Sequence, residues 1–67
     1  MVNTVELKKR RCAKGYFTQT SFAEALGMNV ANYGNRERGV TPFTAEDVVK
    51  ICGLLGMSLE EGMSVLL

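Results

Sequence analysis

The basic side chains in the first half of the chain are the residues best suited to bind a negatively charged partner. Residues 1–39 contain seven lysines and arginines against three glutamates, whereas residues 40–67 contain one lysine against four acidic residues. The formal net charge of +1 therefore hides two halves of opposite sign. Positive potential on one part of a surface attracts a polyanion. A solvated helix face followed by acidic helix starts would produce the same charges, so both interpretations stay open.

Residue types that usually carry catalysis or hold metals are scarce. The chain has no histidine, which removes the commonest general base and a common zinc ligand. Cys12 and Cys52 are far apart in the sequence and form no CxxC pair. We therefore expect no enzymatic activity, no metal site and no cofactor, and we expect both cysteines to be core residues rather than a disulfide.

Length and composition indicate one small globular domain. The chain has 67 residues, of which 46% are hydrophobic and 22% charged. Its apolar runs are much shorter than the ~20 residues of a membrane-spanning helix, and the N-terminus has no apolar signal-peptide core. We expect a single domain over residues 1–67, located in the cytoplasm.

Helix signals cover the chain and strand signals are nearly absent, so the predicted fold is all-α with five short helices. Thr4 and Asn29 are expected to cap helices over about 5–14 and 30–38, and a second helix is expected from Gln19 to the stop at Gly27. Capping-box patterns beginning at Thr44 and Ser58 predict the fourth and fifth helices. The expected inner faces are, in chain order, Val5, Leu7 and Cys12; Phe22, Ala23 and Leu26; Val30 and Tyr33 with Arg36 or Glu37; and Val48, Ile51, Cys52 and Leu55.

The segment 18–39 has the organisation of two short helices joined by a turn. Ala23 leaves room for a second helix to cross closely, and Gly27 permits a sharp turn before Asn29. Leu26, Met28 and Tyr33 can close a small core between the two helices. This arrangement is typical of a helix-turn-helix unit, in which the second helix enters the DNA major groove and the first crosses the backbone.

At these residues the sequence resembles the Cro/repressor-type (XRE) helix-turn-helix family. The family's T-Q-x-x-x-A-x-x-L-G element matches the chain from Thr18 to Gly27, and its later E-x-G matches Glu37 and Gly39. The following proline, helix four and L-G-x-S-x-x-E segment are similar to Pro42, Val48, Ile51, Leu55, Gly56, Ser58 and Glu61. The resemblance extends from about residue 7 to residue 61 and implies a lambda-repressor-like fold that binds double-stranded DNA.

The resemblance also implies roles for individual residues. The residues expected at base edges are Asn29, Val30, Ala31 and Asn35. Those expected at the DNA backbone are Gln19, Asn32, Arg36, Arg38 and Thr41. Asn35 can pair with adenine N6 and N7 while Val30 or Ala31 contacts a thymine methyl, which together would favour A·T pairs. Val30 and Ala31 are equally consistent with helix packing. Arg11 and Glu37 occupy the positions of a structural ion pair that joins helix one to the end of helix three.

The chain differs from the family pattern at three places. The turn from Gly15 to Thr18 is one residue longer, Gly34 interrupts the recognition helix, and Arg36 stands where an apolar residue is usual. The missing side chain of Gly34 is expected to admit a close approach of DNA or of a partner.

The expected assembly is a homodimer that reads two half-sites and represses transcription, in the manner of small phage or mobile-element regulators. Candidates for the dimer contact are Met63, Val65, Leu66 and Leu67, although Val65 and Leu66 also suit closure of the core. The alternative function is a protein-interaction module on the same fold, which binds and modulates a repressor or another regulator; an antitoxin-type regulator would combine the two functions. The low net charge favours that alternative.

Overall fold

Capping residues and apolar stripes divide the chain into five helices, and a computed structural model describes all 67 residues. The helices are α1 (Thr4–Ala13), α2 (Gln19–Leu26), α3 (Val30–Glu37), α4 (Ala45–Leu55) and α5 (Leu59–Leu66). The all-α prediction is confirmed. None of the five helices has the length and apolar character needed to cross a membrane.

Local capping chemistry decides where most of these helices begin. Asn29 accepts hydrogen bonds from the first-turn amides of α3, as predicted. Thr44 with Asp47, and Ser58 with Glu61, form complete capping boxes at α4 and α5. Each box satisfies backbone amides that have no partner within the helix.

The first helix differs from the prediction at its cap and on its inner face. Asn3, not Thr4, caps α1 and accepts from the Glu6 amide. Both residue types are good caps, so the sequence alone does not choose between them. Val5 is 77% exposed, while Leu7 is fully buried.

Cys12 is also exposed, which corrects its predicted place in the core. The inner face of α1 carries Leu7 and Arg11, which are one turn apart, and Cys12 is rotated about 100° away from Arg11. Cys52 is buried as predicted, and both cysteines are free thiols.

The helices enclose a core of thirteen buried apolar residues. The fourth helix contributes the predicted Val48, Ile51, Cys52 and Leu55, and the second contributes Phe22, Ala23 and Leu26. Aromatic rings connect α2 to α3 and to the loop after it, with centroid distances of 5.4 Å from Phe22 to Tyr33 and 6.2 Å from Tyr33 to Phe43. This packing fixes α3 against α2.

The contact between α4 and α5 depends on a glycine. Gly62 is buried in α5, and a Cβ atom built on it would overlap the Cys52 Sγ and lie 3.4 Å from Val48 Cγ1. The absence of a side chain therefore lets α5 approach α4 closely. The Cys52 thiol donates to the Ser58 carbonyl at 3.5 Å, and burial raises the pKa of this thiol.

Acid is expected to weaken the start of α5. The Ser58 backbone N–H donates to the Glu61 carboxylate, and this bond, together with the Arg10 guanidinium 3.3 Å away, lowers the Glu61 pKa below its usual 4.5. A lowered folded-state pKa contributes stability above the unfolded pKa, and that stability is lost as the pH falls through the folded value. The thermal unfolding midpoint of the Glu61→Gln variant should therefore fall less steeply than that of wild type as the pH is lowered from about 5 to about 3.

The matched control for this pH experiment is Glu60→Gln, which removes a neighbouring carboxylate that accepts no hydrogen bond. Equal pH profiles for wild type and Glu61→Gln would contradict the assignment of this acid sensitivity to Glu61.

Candidate nucleic-acid interface

Two helices and the turn between them present one face of α3 to solvent. The turn begins at Gly27, whose φ of 72° lies in the left-handed region that glycine adopts without strain. The Met28 amide closes the turn by donating to the Ala23 carbonyl at 2.8 Å. Tyr33 and Glu37 face the interior, so the opposite side of α3 remains open.

The predicted base-contacting residues lie together on or beside that open side. Asn29, Val30 and Ala31 are exposed, and Asn35 is half-buried. Val30 was expected on the inner face with Tyr33, and its exposure corrects that expectation. The Asn29 Oδ1 accepts from the amides of Ala31 and Asn32, so only the side-chain NH₂ of Asn29 is free to donate.

The residues predicted to contact the DNA backbone differ in their exposure and in the hydrogen bonds that they form within the chain. Asn32, Arg38 and Thr41 are exposed. Arg38 Nη2 donates to Asn35 Oδ1 at 2.8 Å, which links a predicted backbone contact to a predicted base contact. Gln19 is half-buried, and its Nε2 donates to Glu37 Oε2 at 2.6 Å.

Arg36 is engaged within the chain. Its Nη1 lies 3.0 Å from Asp47 Oδ2, and the same oxygen accepts from the Thr44 amide. Arg36 therefore ties the last turn of α3 to the first turn of α4, which explains an arginine at a position that is apolar in the family pattern. Any DNA phosphate contact by Arg36 would have to compete with Asp47.

A buried polar network lies beneath the candidate interface. Arg11 Nε is 3.0 Å from Glu37 Oε1, and both side chains are almost fully buried. The Tyr33 hydroxyl donates to the same carboxylate oxygen at 2.9 Å, and Arg11 Nη1 donates to the Tyr16 carbonyl at 2.7 Å. Burial and the Glu37 charge raise the Tyr33 pKa, because both oppose a tyrosinate there. The network joins α1, α2 and α3.

The sequence analysis does not assign Tyr33 or Gln19 to this network. Tyr33 and Glu37 are four residues apart on one helix face, so their contact was a readable signal. The bond from Gln19 to Glu37 had no such signal, because it joins two different helices.

Ion pairs within the chain reduce the number of basic side chains that are free to bind DNA. Arg10 is engaged on the surface of the chain, because its Nε lies 2.8 Å from Glu6 Oε2 and it also contacts Glu61. Arg10, Arg11 and Arg36 are thus all paired with carboxylates. The basic residues of the first half that form no ion pair are Lys8, Lys9, Lys14 and Arg38.

The predicted dimer contacts separate into two groups. Val65 and Leu66 are only 7% and 2% exposed and belong to the core, which makes them unavailable to a second subunit. Met63 and Leu67 are 46% and 50% exposed. Only these two candidates lie on the surface.

Comparison with known proteins agrees with the helix-turn-helix geometry. A family model described as Helix-turn-helix matches residues 7–62, which includes every helix from the middle of α1 to the middle of α5. No curated protein and no solved structure gives a match. The chain belongs to the Cro/repressor-type (XRE) helix-turn-helix family of DNA-binding regulators.

Proposed function

We propose that this chain acts as one domain that regulates transcription by inserting α3 into the major groove of a specific DNA site. The observation that carries the proposal is the open face of α3, where Ala31 and Asn35 point away from the side packed against the core and Val30 is exposed in the first turn. A helix held by its inner face can present its outer face to base edges without rearranging. The proposed location is the cytoplasm.

The proposed contacts divide into base readout and backbone binding. Asn29, Val30, Ala31 and Asn35 would meet base edges, where amides form hydrogen bonds and small apolar groups contact thymine methyls. Gln19, Asn32, Arg38 and Thr41 would meet the DNA backbone, and Arg36 would join them only by leaving Asp47. Backbone contacts set the register of the protein on the duplex and carry no sequence information directly.

A homodimer is part of the proposal because one copy of α3 reads few base pairs. Two copies would place their recognition helices in half-sites about 34–36 Å apart. The exposed Met63 and Leu67 are the proposed dimer contacts. A bound dimer would repress by excluding polymerase, as expected of a phage or mobile-element regulator.

The first experiment is a gel shift with the DNA upstream of the protein's own gene at several salt concentrations. Affinity should fall steeply with salt, because each neutralised phosphate releases counterions. Asn35→Ala should lose about 1–3 kcal/mol on the preferred site and relax the sequence preference there.

Two further variants serve as controls for Asn35→Ala. Arg38→Ala should weaken binding to all duplexes alike, since a phosphate contact is independent of sequence. Lys50→Ala removes a positive charge from α4, outside the helix-turn-helix, and should change neither affinity nor preference. Unchanged affinity and preference in Asn35→Ala would refute its role in base readout.

The second candidate function is a module that binds a repressor or another regulator. It is favoured by the pairing of Arg10, Arg11 and Arg36 with carboxylates, which leaves a weak basic face. No retardation of DNA even at low salt, together with stable binding to a co-encoded repressor, would establish this function in place of the first.

A further inference from the structure

Gly34 stands at a position where glycine has a cost and no conformational reason. It lies inside α3 and does not have a positive φ. Glycine lowers the stability of a helix interior because it loses more backbone freedom on folding than alanine does. Because glycine destabilises α3 at this position, we expect the packing around Gly34 to require the absence of a side chain.

Two polar side chains occupy the space that a larger residue would fill. A Cβ atom built on Gly34 would lie 3.0 Å from Arg38 Nη1 and 3.0 Å from Gln19 Oε1. Both distances are tighter than ordinary carbon contacts, and they leave these two side-chain atoms within about 6 Å of each other. The gap expected to admit DNA is therefore filled by the chain's own side chains.

Each of the two side chains is held by a second contact. Gln19 Nε2 donates to the buried Glu37 carboxylate, which orients the amide so that Oε1 faces Gly34. Arg38 Nη2 donates to Asn35 Oδ1. A guanidinium has five N–H donors, so the Arg38 side chain keeps donors for an oxyanion while it is held in place.

We propose that Gly34 is a positioning residue for DNA-backbone binding: its missing side chain lets the Arg38 guanidinium lie over α3, between Asn35 and Gln19, ready to bind a phosphate. This inference rests on the proposed function. Ordering a long side chain before binding removes a cost that would otherwise be incurred in the complex. Gly34 thus lowers the stability of α3 but lets the Arg38 guanidinium be ordered before it binds a phosphate.

The test substitutes alanine at Gly34 and measures affinity for duplex DNA together with thermal unfolding. Displacing Arg38 should weaken binding about three- to tenfold, the cost of ordering one long side chain in the complex. The unfolding midpoint should stay equal or rise, because the displaced atoms are flexible side-chain ends and alanine favours the helix. NMR should show a contact between the Gly34 Hα protons and the Arg38 guanidinium in the free wild-type protein.

The matched control is Gly53→Ala in α4, where no atom lies within 4 Å of the added Cβ. It gives the same gain in helix propensity and should leave DNA affinity unchanged. A double variant makes the test specific: in an Arg38→Ala background, Gly34→Ala should cause a smaller loss of affinity than in wild type, since of the two side chains that it displaces only Gln19 remains.

Three results would overturn the inference. The inference is wrong if Gly34→Ala binds like wild type, if it loses as much affinity without Arg38 as with it, or if it unfolds far below the wild-type midpoint because the two side chains cannot move. Failure of wild-type protein to bind any duplex at low salt would reject the proposed function and this inference together. The wild-type measurement therefore distinguishes the two failures.

Discussion

Replacing Glu37 by alanine is expected to lower the free energy of unfolding by about 3–5 kcal/mol, the usual cost of breaking a buried ion pair. Glu37 is fully buried and accepts from Arg11, Tyr33 and Gln19. Its removal leaves the Arg11 charge buried without a counter-ion and leaves the Tyr33 hydroxyl without an acceptor. A domain of 67 residues has only about 3–10 kcal/mol of folding stability in total, so this variant should unfold at a much lower temperature than wild type.

A double-mutant cycle separates the ion pair from the rest of the network. Glu37→Gln keeps an acceptor for Tyr33 but leaves the Arg11 charge unpaired, and Arg11→Met leaves the Glu37 charge with only neutral donors. The double variant removes both charges, so its loss should be smaller than the sum of the single losses. Chemical denaturation monitored by circular dichroism gives all four free energies.

The matched control for the cycle is Arg10→Met on the same helix. Arg10 also forms ion pairs, with Glu6 and Glu61, but its side chain is 35% exposed and water screens its charge. Its loss should be much smaller than that of Arg11→Met. Similar losses for the two arginines, or simple additivity in the cycle, would mean that the Arg11–Glu37 pair has no special structural role.

Replacing Gly62 by alanine is expected to destabilise the fold by about 1–3 kcal/mol, the typical cost of overpacking a core. The added methyl would overlap the Cys52 Sγ, and the helix backbones of α4 and α5 would have to move apart. The direction is opposite to that expected from helix propensity alone, which favours alanine by about 0.8–1 kcal/mol. Equilibrium denaturation measures the difference.

Two variants distinguish overpacking from a general effect of alanine. Gly53→Ala lies in the neighbouring helix with open space around it and should stabilise by about 0.5–1 kcal/mol. Combining Gly62→Ala with Cys52→Ala removes the overlapping sulfur, so the pair should be more stable than the sum of the single effects. A stabilised Gly62→Ala single variant would show that the helices separate at little cost.

Helix boundaries were the most predictable part of this protein, because they depend on neighbouring residues. The hydroxyl of Thr44 or Ser58 meets an amide three residues away, whatever the rest of the chain does. Gly27 likewise ends α2 through its own backbone preference. The apolar stripe of α4 was also predictable, since each residue on it is buried for the same reason.

The first helix shows where this reasoning fails. Its inner face carries Arg11, and an apolar stripe does not reveal a charged residue that is buried by pairing with Glu37 on another helix. The apolar pattern also predicts Val5 and Cys12 on the inner face, although both are exposed. The family resemblance, not the hydrophobic pattern, indicated the Arg11–Glu37 pair.

The sequence by itself determined the all-α class, the capping boxes, the helix-turn-helix spacing and the asymmetry of charge, because each depends on local chemistry or on simple order along the chain. Only the tertiary structure decided which charges remain free, since ion pairs such as Arg36 with Asp47 join different helices. It also decided that Gly34 makes room for Gln19 and Arg38. Such contacts depend on distances between helices, which no spacing along one helix specifies.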